Sequence, residues 1–371
     1  MYNSYLKDIK TYEAGKPIEL VVREFGIESQ DVVKLASNEN PLGCSEKVAQ
    51  AIASSAQKAS LYPDDSMYEL KEALSLRFGV TAKEIIIGAG SDQVLEFISH
   101  VVLNSASKIL RSAVTFAMYD IYAKQFGAQI LTTPSYQHIA DEFIEKIESA
   151  NPDIIYICTP NNPTGDATTR EEVFKIINAA SKDSLVVVDC AYMEYVEEEE
   201  YKLVPKDFIN CDNVIYLGTF SKAFGLGGMR VGYGIANENI INMLYKVRPP
   251  FNISSLSLLA AIEASHDIDF VTKSVALNRE EMKRYIDFAK KYEIEYIPSK
   301  TNFITLLFDE KHNSSEIATN LMKKGVIIRD LASYGLNAIR ITIGTKSQNS
   351  KLFEVLSQEL QYRESIESKT V

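Results

Sequence analysis

The chain has 371 residues, of which 46% are hydrophobic and 24% are charged, and its formal net charge is -11. A chain of this length usually divides into two domains, and the acidic balance argues against a nucleic-acid-binding protein. The N-terminal residues lack the apolar segment of a signal peptide, and no uninterrupted apolar run approaches the roughly 20 residues of a membrane span. We therefore expect a cytoplasmic protein that binds neither nucleic acid nor membrane.

The cysteines and histidines do not indicate a metal site. The four cysteines match no C-x-x-C pattern, and the four histidines are scattered without the spacing of zinc ligands. Unpaired cysteines within apolar runs suit a reducing compartment. We expect no bound metal.

Short apolar runs alternate with helical patterns through the middle of the chain. The predicted strands are residues 84–88, 108–114, 129–133, 153–158, 184–189, 214–219 and 232–236. The predicted helices between them are residues 92–103, 118–126, 140–149 and 169–180. This alternation predicts an α/β domain with a mostly parallel seven-stranded sheet, covered by helices on both faces. Ligands in such sheets bind beyond the carboxyl ends of the strands.

The pattern changes from about Asn252 onwards. Helices are predicted over residues 254–265, 275–292, 315–324 and 347–362, and strands over residues 296–298, 303–308, 326–329 and 339–343. This part is typical of a smaller α+β domain joined by an N-terminal arm. The expected division is an arm (1–35), a large cofactor-binding domain (36–250) and a small C-terminal domain (251–371).

The loop after the first predicted strand reads GAGSD, residues 88–92. Its glycines allow close backbone approach to a ligand, Ser91 can cap the following helix, and a helix N-terminus attracts phosphate. A plain strand-to-helix turn with a serine cap would have the same sequence.

Two further loops carry polar residues at the ends of buried strands. TPNNPTG, residues 159–165, contains adjacent asparagines whose amides can bind a ligand oxygen. DCAY begins with Asp189, whose buried carboxylate needs a partner. That partner is either a helix N-terminus, an ordinary ion pair, or a buried cation such as a protonated ring nitrogen.

The fourth loop is GTFSKAFGLGGMRVGY, residues 218–233. Lys222 follows a buried strand, with Thr219 and Ser221 beside it and Arg230 eight residues later. A lysine forms an imine with a carbonyl, and hydroxyls and an arginine hold phosphate. Together the four loops supply what pyridoxal phosphate requires.

At these loops the sequence resembles the fold-type I aminotransferases and, among them, most closely the histidinol-phosphate aminotransferases. The matching stretches are LASNENPLG, LYPDD, GAGSDQVLEF, TFAMYDIYAK, PNNPTG, DCAYMEY, GTFSKAFGLGGMRVGY, TNFI, IIRDL and IRITIGT. The resemblance spans nearly the whole chain and implies a fold-type I architecture with pyridoxal phosphate as cofactor.

The resemblance also implies roles for single residues. Lys222 would hold the cofactor covalently and then move the substrate proton, and Asp189 would pair with the pyridinium nitrogen. Asn162 and Tyr192 would bind the phenolic oxygen of the ring. The phosphate would be bound by Ala89, Gly90, Ser221 and Arg230, with Ser91 and Thr219 beside them.

Further implied contacts concern the ring face and the partner subunit. Phe116 stands where the family usually has a stacking tyrosine, so stacking is kept and a hydroxyl role is lost. Tyr62 would reach the cofactor phosphate of the neighbouring subunit, which implies a homodimer with shared sites. The N-terminal arm would pack against the small domain and the dimer partner.

The resemblance implies histidinol phosphate, 2-oxoglutarate and glutamate as substrates. Arg329 and Arg340 match two late arginines that would bind a phosphate or carboxylate, although a surface ion pair is an alternative. Tyr12, Asn38 and Asn162 would line the substrate pocket, with a packing role as the alternative for Tyr12.

Competing functions share these cofactor residues. They are an aromatic or broad-specificity amino acid aminotransferase and a threonine-phosphate decarboxylase. A non-catalytic regulator on the same fold is disfavoured because no basic helix-turn-helix precedes the domain and Lys222 is intact. A nicotinamide dehydrogenase is disfavoured because GAGSDQ is not G-x-G-x-x-G.

Overall fold

The computed structural model describes residues 4–7, 9 and 17–370, with only the backbone of residues 362–370. The strands are β1 (Val33–Lys34), β2 (Ile85–Gly88), β3 (Lys108–Arg111), β4 (Gln129–Thr132), β5 (Ile154–Cys158), β6 (Leu185–Asp189), β7 (Val214–Thr219), β8 (Gly232–Ala236), β9 (Glu295–Ile297), β10 (Phe303–Leu307), β11 (Val326–Ile327), β12 (Arg329–Asp330) and β13 (Ala338–Thr342). The helices are α1 (Ile18–Phe25), α2 (Glu46–Ser55), α3 (Tyr68–Phe78), α4 (Ser91–Val102), α5 (Met118–Gln125), α6 (Ala140–Ala150), α7 (Arg170–Ala179), α8 (Glu238–Tyr245), α9 (Ser255–His266), α10 (Ile268–Lys291), α11 (Ser314–Lys323) and α12 (Lys346–Thr370).

The seven strands predicted for the middle of the chain form one sheet in the order β2-β8-β7-β6-β5-β3-β4. Strand β8 is antiparallel to both of its neighbours, and the other strands share one direction. The α/β fold expected from the sequence is confirmed. The antiparallel direction of β8 follows from its short connection, because β8 returns directly beside β7 without a crossover helix.

Both faces of this sheet are buried, as its apolar strands predict. Along β6, Val186 and Val188 pack on one face while Val187 packs on the other. Helices α4, α5 and α8 cover the second face, and α2, α3, α6, α7 and α9 cover the first. The polar loops therefore emerge only at the ends of the strands.

The C-terminal part contains a four-stranded antiparallel sheet in the order β12-β13-β10-β9, packed on α10, α11 and α12. The strand predicted over residues 326–329 is divided in two. Its first half, β11, pairs in parallel with β1 of the N-terminal arm, and its second half, β12, pairs with β13. Strand β1 pairs with β11 in a separate two-stranded sheet. The chain therefore changes direction at Ile328 before β12 joins the four-stranded sheet.

The core of the large sheet extends beyond residue 250. Ile253 and Leu258 pack in it, as does Val271 at the start of α10, whereas Tyr285 and Phe288 of the same helix pack in the small core. We therefore propose that the domain boundary lies within α10 rather than at residue 250. Among the described helices, none combines the length and apolarity that crossing a bilayer requires.

Candidate active site

A cavity of about 110 Å³ opens at the carboxyl ends of β5, β6 and β7. The loops after β2, β5, β6 and β7 meet there because these strands run in one direction. The lining residues are Gly90, Ser91, Asp92, Phe116, Cys158, Asn162, Asp189, Ala191, Tyr192, Thr219, Ser221, Lys222 and Arg230. The fold thus brings the four loops singled out in the sequence to one place.

The turn between β2 and α4 forms one wall of this cavity. Gly90 is the N-cap of α4 with a φ of 80°, and Ser91 is the first residue of the helix. The expectation that Ser91 caps the helix is therefore wrong. The tight turn needs a positive φ at the cap position, which glycine adopts without strain. A side-chain carbon at Gly90 would lie 2.5 Å from a guanidinium nitrogen of Arg230, so only glycine keeps this space open.

Arg230 and two hydroxyl groups face the same turn. The Arg230 guanidinium donates to the carbonyl oxygen of Gly227 at 3.1 Å, to Oγ of Ser221 at 3.4 Å and to the carbonyl oxygen of Ala89 at 3.4 Å. Thr219 Oγ1 donates to Ser221 Oγ at 3.0 Å. A cation, hydroxyl groups and a helix N-terminus around one space suit a phosphate group.

The N–H group of Ala89 already has a partner. It donates to Oε1 of Gln93 at 2.8 Å, and Ala89 is not among the described residues that line the cavity. A phosphate contact from Ala89 stays a prediction. Gly90 and Ser91, which do line the cavity, are better placed to supply backbone donors.

Asp189 ends β6 with a side chain that is almost fully buried. Oδ2 accepts a hydrogen bond from the hydroxyl of Tyr119 at 2.8 Å, and Oδ1 accepts one from the N–H of Ala191 at 3.3 Å. Loss of hydration raises the pKa of Asp189 to about 6, against the opposing effect of these two donors. The carboxyl group is therefore poised to pair with a buried cation, such as a ring N–H.

Lys222 lines the same cavity as Asp189. Its Nζ is 3.5 Å from the carbonyl oxygen of Ser37 and 5.7 Å from the ring centre of Tyr192. Burial, followed by the charges of Arg340 and Arg230, lowers the pKa of Lys222 to about 8. A lysine with a lowered pKa has a larger fraction of neutral amine, which is the nucleophilic form.

Tyr192 and Asn162 complete the polar wall. The Tyr192 hydroxyl accepts a hydrogen bond from Nδ2 of Asn38 at 2.8 Å, so its own proton remains available for another acceptor. Asn162 Oδ1 accepts from the guanidinium of Arg340, which leaves its amide hydrogens as donors. Asn38 lies behind Tyr192 rather than among the cavity-lining residues.

The two late arginines occupy facing positions on antiparallel strands. Arg329 of β12 is paired in register with Arg340 of β13, and such paired side chains point to one face of a sheet. Arg340 is mostly buried and donates to the carbonyl oxygen of Ala36 at 2.8 Å as well as to Asn162. Strand β13 of the small domain therefore places the positively charged side chain of Arg340 against the loop that follows β5.

Two further residues, Tyr62 and Tyr12, are predicted to contact the cofactor or the substrate. Tyr62 is 83% exposed and packs on Phe251, with ring centres 4.7 Å apart, and it does not line the cavity of its own chain. Tyr12 lies outside the described residues. Their predicted roles remain predictions.

Three lining residues, Asp92, Cys158 and Ala191, were not singled out from the sequence. Cys158 reads as a small apolar residue, but it is the last residue of β5, so the rule that ligands bind at strand ends would have found it. Burial raises the pKa of the Asp92 carboxyl. Among the described residues, no group of three or more His, Cys, Asp or Glu has the arrangement of a metal site.

These features fit pyridoxal phosphate. The space kept open at Gly90 beside Arg230 suits its phosphate, the buried carboxyl of Asp189 suits its ring nitrogen, and the lowered pKa of Lys222 suits its carbonyl carbon. Phe116 supplies an aromatic wall. Fold and site together define a pyridoxal-phosphate enzyme of the aminotransferase class.

Comparison with known proteins agrees with this definition. The sequence profile of the family described as aminotransferase class I and II matches residues 30–356, and the chain belongs to that family. It is 64% identical to the histidinol-phosphate aminotransferase of Sulfurovum sp. over 354 residues, which are 95% of this chain and 97% of that protein. It is 57% identical to the enzyme of the same name from Sulfurimonas denitrificans over 358 residues, 96% of this chain and 98% of that protein.

A solved structure has the same fold. The crystal structure of histidinol-phosphate aminotransferase from Sinorhizobium meliloti, in complex with pyridoxal-5'-phosphate, superimposes with a TM-score of 0.90. The match covers 97% of this chain and 98% of that one at 23% sequence identity. At this identity the likeness concerns the fold.

Proposed function

We propose that this protein transfers the amino group of L-histidinol phosphate to 2-oxoglutarate, giving imidazole acetol phosphate and L-glutamate in L-histidine biosynthesis, with pyridoxal phosphate as cofactor. The observation that carries this proposal is the presence of Lys222 and Asp189 in one cavity with Gly90 and Arg230. The relatives named for this activity, at 64% and 57% identity, support the choice of substrate.

Bound pyridoxal phosphate supplies an electron sink for the bond that is broken at the amino-bearing carbon of the substrate. Asp189 would hold the ring nitrogen through a charge-assisted hydrogen bond, and burial would strengthen this bond because water is excluded. Asn162 and Tyr192 would donate to the phenolic oxygen. Phe116 would supply an aromatic surface for the ring.

Lys222 has two roles in this proposal. Its neutral amine would hold the cofactor covalently, and once substrate is bound the amine would accept and return the proton at the amino-bearing carbon of the substrate. A pKa of about 8 suits both roles, because the group can accept and return a proton near neutral pH. The nearby charges of Arg340 and Arg230 help to maintain this value.

Arg340 and Arg329 bind the anionic end of each substrate. The planar guanidinium accommodates both the phosphate of histidinol phosphate and a carboxylate of 2-oxoglutarate or glutamate. Arg329 and Arg340 are paired in register on neighbouring strands, so an anion bound between them would meet two guanidinium groups. One arginine pair can thus serve both half-reactions.

A panel of amino donors tests the substrate. The purified protein, loaded with pyridoxal phosphate, is incubated with 2-oxoglutarate and histidinol phosphate, phenylalanine, tyrosine or threonine phosphate, and glutamate formation and carbon dioxide release are measured. The highest kcat/KM is expected for histidinol phosphate. A higher value for phenylalanine or tyrosine supports an aromatic aminotransferase instead, and carbon dioxide release from threonine phosphate supports a decarboxylase.

We further propose a cytoplasmic homodimer in which Tyr62 contacts the cofactor phosphate bound by the partner subunit. Tyr62 is exposed, yet its loop is rigidly held, because Asp65 accepts hydrogen bonds at 3.0 and 2.8 Å from the Arg248 guanidinium. The free cysteines suit a reducing compartment.

Mixing two inactive variants tests the shared site. Subunits with Lys222→Ala are refolded together with subunits carrying Tyr62→Ala. A hybrid dimer then contains one site with neither substitution, and activity is expected to reappear. Activity that remains at the level of the separate variants contradicts the shared site.

A further inference from the structure

Tyr119 lies beneath the cavity and contacts Asp189 directly. It lies on helix α5, which packs against strands β5 and β6 of the large sheet. Its side chain has no exposed surface. Its hydroxyl donates to Oδ2 of Asp189 at 2.8 Å. Tyr119 does not line the cavity, so an effect of its hydroxyl on bound cofactor acts through Asp189.

Two aromatic side chains pack against the ring of Tyr119. It stacks on Tyr156 with ring centres 4.2 Å apart and an interplanar angle of 5°, and Phe116 packs edge-on against it at 5.7 Å. Aromatic pairs in such arrangements are stabilising, and neighbouring core atoms block rotation of the ring. The hydroxyl is therefore held toward the carboxylate.

The two oxygens of Asp189 are unequally satisfied. Oδ2 receives the short, charge-assisted bond from Tyr119, whereas Oδ1 receives only the longer bond from the N–H of Ala191 at 3.3 Å. A buried carboxylate with few donors tends to take up a proton. Tyr119 counteracts this tendency and lowers the pKa of Asp189.

We propose that Tyr119 is a positioning residue that holds Asp189 ionised, with Oδ1 turned to the cofactor ring, so that the shared proton stays on the ring nitrogen. This inference rests on the proposed function, in which the cavity holds pyridoxal phosphate. A carboxylate that lacks the Tyr119 bond is a stronger base, and it draws the proton from the ring toward itself. The ring then withdraws electrons less strongly.

The test compares wild-type protein with Tyr119→Phe and Tyr156→Phe. Each is loaded with pyridoxal phosphate that carries ¹⁵N in the ring, and the ¹⁵N chemical shift and the cofactor dissociation constant are measured at one pH. In Tyr119→Phe the shift is expected to move toward that of neutral pyridine, and the dissociation constant to rise about 10-fold or more. Tyr156→Phe removes a hydroxyl from the other ring of the same stack, and it is expected to match wild type.

Two outcomes overturn the inference. One is a ring shift and dissociation constant in Tyr119→Phe that equal those of wild type; the other is an equal change in Tyr156→Phe, which would indicate a packing effect. If wild-type protein does not bind pyridoxal phosphate, the proposed function itself fails, which is a different result.

If Tyr119→Phe does not fold, 3-fluorotyrosine at position 119 supplies a stronger donor of similar size. Tighter cofactor binding and a shift further toward pyridinium are then expected, and no change in either overturns the inference.

Discussion

The side-chain amide of Asn38 donates a hydrogen bond of 2.8 Å to the phenolic oxygen of Tyr192. Asn38 is 2% exposed, and its own oxygen accepts from Oγ1 of Thr342 at 3.2 Å. The N-terminal segment, the loop after β6 and strand β13 thus meet in one chain of hydrogen bonds. The hydroxyl proton of Tyr192 remains available for another acceptor, so Asn38 orients a hydroxyl group of a cavity-lining residue.

This relationship predicts that Asn38 and Tyr192 act as one unit. Asn38→Ala and Tyr192→Phe are each expected to lower kcat/KM about 10-fold, because each removes one hydrogen bond near the developing charge. The double variant is expected to be only slightly worse than either single variant, with a coupling energy of about 1 kcal/mol. Kinetics of the four proteins measure this coupling, and effects that multiply would refute it.

Lys222 is expected to be the site of covalent cofactor attachment. Borohydride reduction of the loaded protein should fix the cofactor irreversibly, and peptide mapping should find it on Lys222. Lys222→Ala is expected to lower kcat by at least about 10²- to 10⁴-fold, the usual contribution of general acid–base catalysis. Lys202, which pairs with Glu199 and does not line the cavity, is replaced by alanine as the control and should keep both label and activity. A label on another residue would rule out this assignment.

The lowered pKa of Lys222 predicts a pH dependence for uptake of the cofactor. With a pKa of about 8 instead of 10.5, neutral amine at pH 7 is about 300 times more abundant. Since the neutral amine is the reactive form, the rate at which the apoprotein captures pyridoxal phosphate should rise with pH and level off above about pH 8. Stopped-flow absorbance between pH 6 and 10 follows this rate. A rate that still climbs steeply above pH 9 would indicate an ordinary lysine.

Arg340 is expected to determine affinity for anionic substrates. Arg340→Gln removes the charge but keeps a hydrogen-bonding group, and it should raise KM for histidinol phosphate and 2-oxoglutarate about 10- to 100-fold, as loss of a charged hydrogen bond predicts. Arg279→Gln breaks an exposed ion pair with Glu197 and is the matched control, with unchanged kinetics expected. Steady-state kinetics measure KM for both variants. An unchanged KM in Arg340→Gln would contradict the assignment.

Two glycines of the Lys222 loop should differ sharply in how well they tolerate replacement by alanine. Gly225 has a φ of 70°, and a side-chain carbon there would lie far inside van der Waals contact with the carbonyl oxygen of Gly43. Gly225→Ala is therefore expected to lower the free energy of unfolding by about 1–3 kcal/mol. Gly228 has no atom within 4 Å of the same position, so Gly228→Ala should change it by less than about 0.5 kcal/mol. Thermal unfolding of the two variants makes the comparison, and equal Tm values would contradict this account of the loop.

Much of the large domain is predictable from local sequence. The seven apolar runs become the seven strands of one sheet, because residues buried on both faces of a strand must be apolar wherever they lie in the chain. The rule for parallel sheets then brings Lys222, Asp189, Asn162 and Gly90 together, since each follows a strand. These residues were found from their position after a strand and their chemistry.

Other features depend on contacts between distant segments. Strand β1 pairs with β11 across almost 300 residues, which divides a predicted strand, and Asn38 bonds to Tyr192 across 154 residues of chain. Tyr119 reads as one aromatic residue of an amphipathic helix, and its bond to Asp189 exists only after α5 packs on the sheet.

The amino-acid sequence by itself therefore determined the strands, the order of polar loops and the chemical groups available for catalysis. Only the tertiary structure decided the pairing of β1 with β11, the lowered pKa of Lys222 and the partners of Asp189 and Tyr192. The physical reason is range. Apolar periodicity acts within a few residues, whereas desolvation and hydrogen-bond geometry depend on groups that folding brings together from far along the chain.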